Sequence, residues 1–184
     1  MKASMLVRVA DKLINRQKIE HQIDGILEHR ARGLSQQQVA YQFGVDRTFI
    51  SRLETLGEVR KGKSIALVGF PVANKDELAA VAAEEGVEFV WLMTNAERWD
   101  YVAQRSGSAL VQEVMDLISQ VRRHDALIFI GSDQRARMVR ALVDREVVAV
   151  EIGRSPINSD KRVEPEQLRD LIRQLRGEAG GARQ

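Results

Sequence analysis

Apolar positions follow two different periods along the chain, and the change falls near residue 63. Before it the spacing is helical. Ile19, Ile23, Ile26 and Leu27 recur on one helical face behind Asn15, a side chain suited to cap a helix start, and Gly33 suits the stop. Ser35 opens a second helix, with Gln38 placed to complete a capping box and Val39, Ala40 and Phe43 as the inner stripe, and Gly44 ends it. Asp46 is placed to cap a third helix from Arg47 to about Leu56, because a short carboxylate accepts the free amides of the first turn and suits its positive dipole end.

After Lys63 apolar runs alternate with helical stripes. "SIALVGFP" (64–71), "VEFVWLMT" (87–94), "ALIFIGSD" (126–133) and "VVAVEIG" (147–153) read as strands. The helical stretches behind them are "KDELAAVAAEEG", "NAERWDYVAQRS" with "SALVQEVMDLISQVRR", "QRARMVRALVDRE" and "PEQLRDLIRQLRG", Gly107 separating the paired two. Strand then helix, four times over, with nearly unbroken apolar strands, predicts a parallel sheet covered on both faces. The expected fold class is α/β: an all-α head, then a small doubly wound, Rossmann-like or flavodoxin-like sheet of about four strands. The division reads as a head at 1–57, a glycine-bracketed basic linker at 58–63, an α/β domain at 64–177 and a disordered tail at 178–184. Leu110, Val114, Leu117, Ile118 and Val121 form a stripe expected to face the core, with a dimer interface as the alternative.

Composition narrows the chemistry. A chain of 184 residues, 44% hydrophobic and 29% charged, suits a soluble globular protein. No apolar run approaches the roughly eighteen residues that cross a bilayer. The opening "MKASMLVRVADKLINR" lacks the apolar core and cleavage site of a signal peptide, so the expectation is a cytoplasmic protein without a membrane partner. With no cysteine and only His21, His29 and His124, neither a metal site nor a thiol nucleophile is expected, and no cofactor is implied. The net charge of +2 hides an asymmetry. Residues 1–63 hold twelve Lys and Arg against seven Asp and Glu, and residues 64–184 hold sixteen against nineteen. A basic head on a mildly acidic body is the footprint of a protein whose head alone meets a polyanion.

The head carries a resemblance. "SQQQVAYQFGVDRTFISRLE", residues 35–54, resembles the helix-turn-helix of the Cro and lambda-repressor class of DNA-binding proteins, and the fit extends over residues 15–56. Ala40 is small where two helices would cross, Gly44 can take the positive φ of a sharp turn, and Val45, Ile50 and Leu53 can close the core between them. The resemblance implies double-stranded DNA as partner, with the helix from Arg47 lying in the major groove. Arg47 and Thr48 then reach base edges, with Ser51 and Arg52 one turn further along the same face. Gln36 and Gln37 match positions that touch phosphate, Gln36 also serving to buttress the reading helix, and Lys61 and Lys63 add phosphate contacts from the linker. For Phe49, packing under the first helix is expected over contact with a thymine methyl. Members of this class dock as two-fold pairs, so a homodimer associated with the nucleoid is expected.

Open parallel sheets bind ligands beyond the carboxyl ends of their strands, which nominates "GFPVANK" (69–75), "TNAER" (94–98), "GSDQR" (131–135) and "GRSPINSD" (153–160) as the rim of any pocket. Within them Gly69, Asn74, Thr94, Asn95, Gly131, Ser132, Asp133 and Arg154 are the candidate ligand contacts, for a small anion held at a helix start. Simple helix capping by Ser132, Asp133 and the two asparagines stays open beside that reading. Neither a dinucleotide fingerprint nor a P-loop is present. The expected function is a sequence-specific transcription regulator, dimeric, with ligand control through the α/β body. The alternatives are a DNA-targeted α/β enzyme, for which no catalytic residues stand out beyond an acid pair such as Asp133 and Glu151, and a DNA-organising or partition protein.

Overall fold

The computed structural model describes residues 6–58 and 64–177. The chain divides into two compact units, Met1–Glu58 and Val59–Gln184. Lys61 and Lys63, most of the linker and the expected tail at 178–184 lie outside the described residues.

The first unit opens on an antiparallel hairpin of β1 (Leu6–Val9) and β2 (Lys12–Asn15), which the sequence reading passed over. Each strand is only four residues long, and Leu6, Val7, Val9 and Leu13 are exposed, so no in-and-out alternation marks it. Three helices follow: α1 (Arg16–Ala31), α2 (Gln36–Phe43) and α3 (Arg47–Gly57). Their starts are set locally. The Asn15 side chain accepts from the Lys18 amide, and Ser35 and Gln38 exchange bonds in a capping box, the Ser35 amide donating to Gln38 Oε1 at 2.8 Å and the Gln38 amide to Ser35 Oγ at 3.3 Å. Asp46 differs from expectation. It stands at the N-cap of α3 but its side chain makes no capping bond; its backbone carbonyl accepts from Phe49 and Ile50 instead. Gly44 turns the chain between α2 and α3 at φ 63°, a left-handed conformation that side chains with a Cβ adopt at a cost. Behind these ends lies a core of Ile26, Val39, Ala40 and Ile50, with Leu34, Phe43, Val45 and Leu53 packed against it.

The second unit is mixed α/β. Its elements are β3 (Ile65–Gly69), α4 (Lys75–Glu84), β4 (Phe89–Leu92), α5 (Asn95–Ala103), α6 (Gly107–Val121), β5 (Ala126–Ser132), α7 (Asp133–Leu142), β6 (Glu146–Gly153) and α8 (Pro165–Arg176). All strand pairs are parallel and the order is β4-β3-β5-β6, so the chain steps from β3 to β4 on one side and then crosses back to β5 on the other. The central strands β3 and β5 are buried along their whole length, and the edge strands β4 and β6 are partly exposed. One face packs Ile65, Leu67, Ile128 and Ile130 under α4 and α8 through Leu78, Ala82, Leu168 and Ile172. The other packs Ala66, Val68, Leu127 and Phe129 under α6 and α7 through Val121, Ala136 and Val139. Burial of this kind, worth about 25 cal/mol for each Å² of apolar surface removed from water, is what holds the sheet and its helices together.

Two details of α6 depart from expectation. Ser106, not Gly107, separates it from α5, by accepting the Ala109 amide as N-cap. The stripe expected to be core is split. Val121 is buried and Leu117 packs inward, whereas Val114 is exposed, with Val111 and Met115 exposed beside it. The helix is apolar on two sides and the sheet covers only one.

Candidate nucleic-acid interface and the rim of the sheet

On α3 the buried and exposed positions separate by helical period. Ile50 is fully buried and Leu53 and Glu54 are partly covered, while Arg47, Thr48, Ser51, Arg52 and Thr55 are exposed on the opposite side. Four of these were singled out from the sequence, and the helix brings them onto one open face.

That face is fixed by a polar chain across all three helices. Arg47 Nε donates to Gln36 Oε1 at 3.4 Å, Gln36 Nε2 donates to Glu54 Oε2 at 2.8 Å, and Arg30 Nε donates to the other Glu54 oxygen. Arg30 also donates to the Leu34 carbonyl in the turn between α1 and α2. The Arg30 guanidinium, followed by the Gln36 amide, holds the Glu54 carboxyl below its ordinary value. Gln36 is thus engaged in holding α2 and α3 together, the buttress role, whereas Gln37 beside it is exposed. Phe49 is not packed away. It is 45% exposed and lines an open apolar groove with Leu13, Ile19, Ile23 and Val45, between the hairpin, α1 and the start of α3.

In the second unit most of the nominated rim residues are taken up by the fold. Gly69 and Gly131 are packing positions: a Cβ at the first would come within 2.8 Å of Ile130 Cβ, and at the second within 2.6 Å of the Phe129 ring. Asn74 does not cap α4 through its side chain. It is buried and clamps the strand-like stretch before α8, donating to the Val163 carbonyl at 2.8 Å and accepting from the Val163 amide at 3.1 Å. Thr94 builds a capping box with Glu97, and Asn95 Oδ1 accepts from Arg98 Nη2 at 2.8 Å. Ser132 is fully buried, caps α7 and shares a 2.6 Å hydrogen bond with Ser155. Asp133 Oδ1 accepts the Ser155 amide at 2.9 Å, and that bond with the Gln134 amide keeps its carboxyl below the ordinary range. Such an acid is a weak proton acceptor at neutral pH, and the expected partner Glu151 is exposed on β6. Arg154 is exposed, near enough to Asp133 to stabilise its charge.

Two rim residues went unnoticed in the sequence. Arg98, at the start of α5, and Arg135, in the first turn of α7, each have a buried Nη1 without a hydrogen-bond partner. Both lie inside nominated segments, but nothing in their local spacing distinguishes them from any other helical arginine. Among the described residues no cluster of His, Asp and Glu has the makings of a metal site, and no helix is long and apolar enough to cross a membrane. Comparison with family models, with curated proteins and with solved structures found no match for this chain.

Proposed function

We propose that the chain is a sequence-specific DNA-binding regulator that lays α3 in the major groove, with the α/β unit serving as the body through which it pairs and senses a ligand. The observation that carries this reading is the open face of Arg47, Thr48, Ser51 and Arg52 on a helix whose other side is locked by Ile50 and Glu54. A short helix with its polar start free and its apolar side fixed is the part that can enter a groove of about 12 Å and meet base edges there. Arg47 forks onto a guanine, and Thr48 offers a methyl and a hydroxyl to the neighbouring base, each good pairing worth about 1 to 3 kcal/mol of discrimination. Gln36 acts as a positioning residue, because its amide already holds Arg47 and Glu54; Gln37, Lys61 and Lys63 supply the phosphate contacts. The +5 balance of residues 1–63 gives the sequence-independent attraction.

A reading surface of so few side chains binds weakly as a single copy, so the functional species is a homodimer on paired half-sites. The exposed apolar side of α6, formed by Val111, Val114 and Met115, is the surface a second copy covers.

Affinity for duplex DNA measured across a salt series tests the reading. The slope of log affinity against log salt is expected to be steep. Arg47→Ala is expected to narrow the gap between specific and unrelated duplexes by about 1 to 3 kcal/mol per half-site, and Lys61→Ala to weaken both by a similar factor and flatten the slope by about one. Absence of duplex binding at low salt would remove the proposal.

A further inference from the structure

We propose that the α/β unit holds a small phosphoryl-bearing anion between Arg98 and Arg135, at the carboxyl edge of the sheet. This deepens the reading of that unit as a ligand-sensing body, and it rests on residues distinct from the DNA-facing ones.

The topology brings the two arginines together. Arg98 follows β4 and Arg135 follows β5, and β3 lies between those strands. β3 and β5 form the switch point of the sheet, because the connections leaving their carboxyl ends run to opposite faces, through α4 and α7. Directly after β3 comes Phe70, whose backbone amide is tied to the Ile130 carbonyl at 3.0 Å and whose ring meets Trp91 and Phe129 edge-on at 6.1 and 6.0 Å. The Arg135 guanidinium lies 5.1 Å from the centre of that ring, and the Arg98 guanidinium 5.1 Å from the Trp99 ring. Both forks are therefore carried on aromatic supports.

Two guanidiniums in one place without an anion are costly. Each leaves Nη1 buried and unpartnered, and a buried charged donor without an acceptor is among the more expensive features a fold retains. Burial, with the nearby Arg98 charge adding to it, pushes the Arg135 guanidinium down from its ordinary value, the direction opposite to that produced by a carboxylate partner. The acids of the rim are occupied elsewhere. Glu97 pairs with Lys75, Asp133 with the Ser155 amide and Arg137, and Asp160 accepts the Asn95 amide. The acceptor that would satisfy both guanidiniums is therefore an external anion. A phosphoryl group fits better than a carboxylate, because it carries close to two negative charges at neutral pH and has an oxygen for each fork.

The test uses the full chain, with inorganic phosphate titrated at constant ionic strength against chloride and acetate and thermal unfolding as the readout. Phosphate is expected to raise the melting temperature saturably, with acetate and chloride indistinguishable from each other. Arg98→Gln and Arg135→Gln are each expected to weaken phosphate binding about ten- to a hundredfold. Arg47→Ala should leave it unchanged, which separates this site from any phosphate held by the DNA-facing side. If a glutamine variant fails to fold, the arginine Nε–H signals of the unaltered protein decide the matter, since those of Arg98 and Arg135 should move with phosphate. The proposal is overturned if phosphate stabilises no better than chloride, if acetate matches it, if both glutamine variants keep the effect, or if those signals stay in place.

Discussion

Glu54 is the residue on which the three helices of the first unit converge, through Arg30 of α1 and Gln36 of α2. Its carboxyl is held below the ordinary glutamate value of 4.5, so the stabilising contribution is complete above that value and disappears as pH falls through the lower, folded-state value. The side chain is 31% exposed, so solvent weakens the effect, and only its direction is predicted. Glu54→Gln should lower helical stability at neutral pH and remove part of its loss on acidification, followed by circular dichroism between pH 7 and pH 3. An unchanged acid profile would deny the residue this role. At Gly44 the turn depends on one torsion, φ 63°, with open space around the position, so a substitution meets strain and no clash. Gly44→Val is expected to cost about 1 to 2 kcal/mol and Gly44→Asn less. Both tryptophans, Trp91 and Trp99, lie in the second unit, so denaturation should show the loss in the helical signal and leave the tryptophan transition in place.

At the scale of elements, the parts specified by short-range chemistry were legible in the sequence. Apolar runs gave the four parallel strands to within a few residues, and Ser35 with Gln38 marked the start of α2. The β1–β2 hairpin was not legible, because exposed strands of four residues carry no alternation. Asn74 looked like an ordinary cap, and its actual partner, Val163, is 89 residues away. Arg98 and Arg135 fall inside nominated segments without being singled out, because their proximity is created by strand order and leaves no local trace. α6 illustrates the opposite difficulty: its apolar period is real, but periodicity does not say which of two apolar sides the sheet covers. Met115→Asp, on the exposed side, should leave the melting temperature nearly unchanged and shift sedimentation from dimer to monomer. A dimer that survives this substitution would place the pairing surface elsewhere.

For the whole molecule, the basic excess is shared between the first unit and the linker: residues 1–58 hold nine Lys and Arg against seven Asp and Glu, and Arg60, Lys61 and Lys63 add three more basic residues. The acidic excess belongs to residues 64–184, so on the proposed reading the attraction to DNA comes from the head together with its linker. The proposed places for DNA, for a second copy and for a small anion rest on three separate features: an open polar face on α3, an uncovered apolar side on α6 and a pair of unsatisfied guanidiniums at the sheet edge. The first of these is the central claim. Selection of bound sequences from a random pool of duplex DNA, run in parallel with the unaltered chain and Arg47→Ala, tests it most directly. The unaltered chain should enrich a two-fold symmetric site with half-sites about one helical turn apart, and Arg47→Ala should lose the preference at one position of each half-site. Failure to enrich any sequence, or the same site selected by both proteins, would contradict the assignment of α3 as the reading helix.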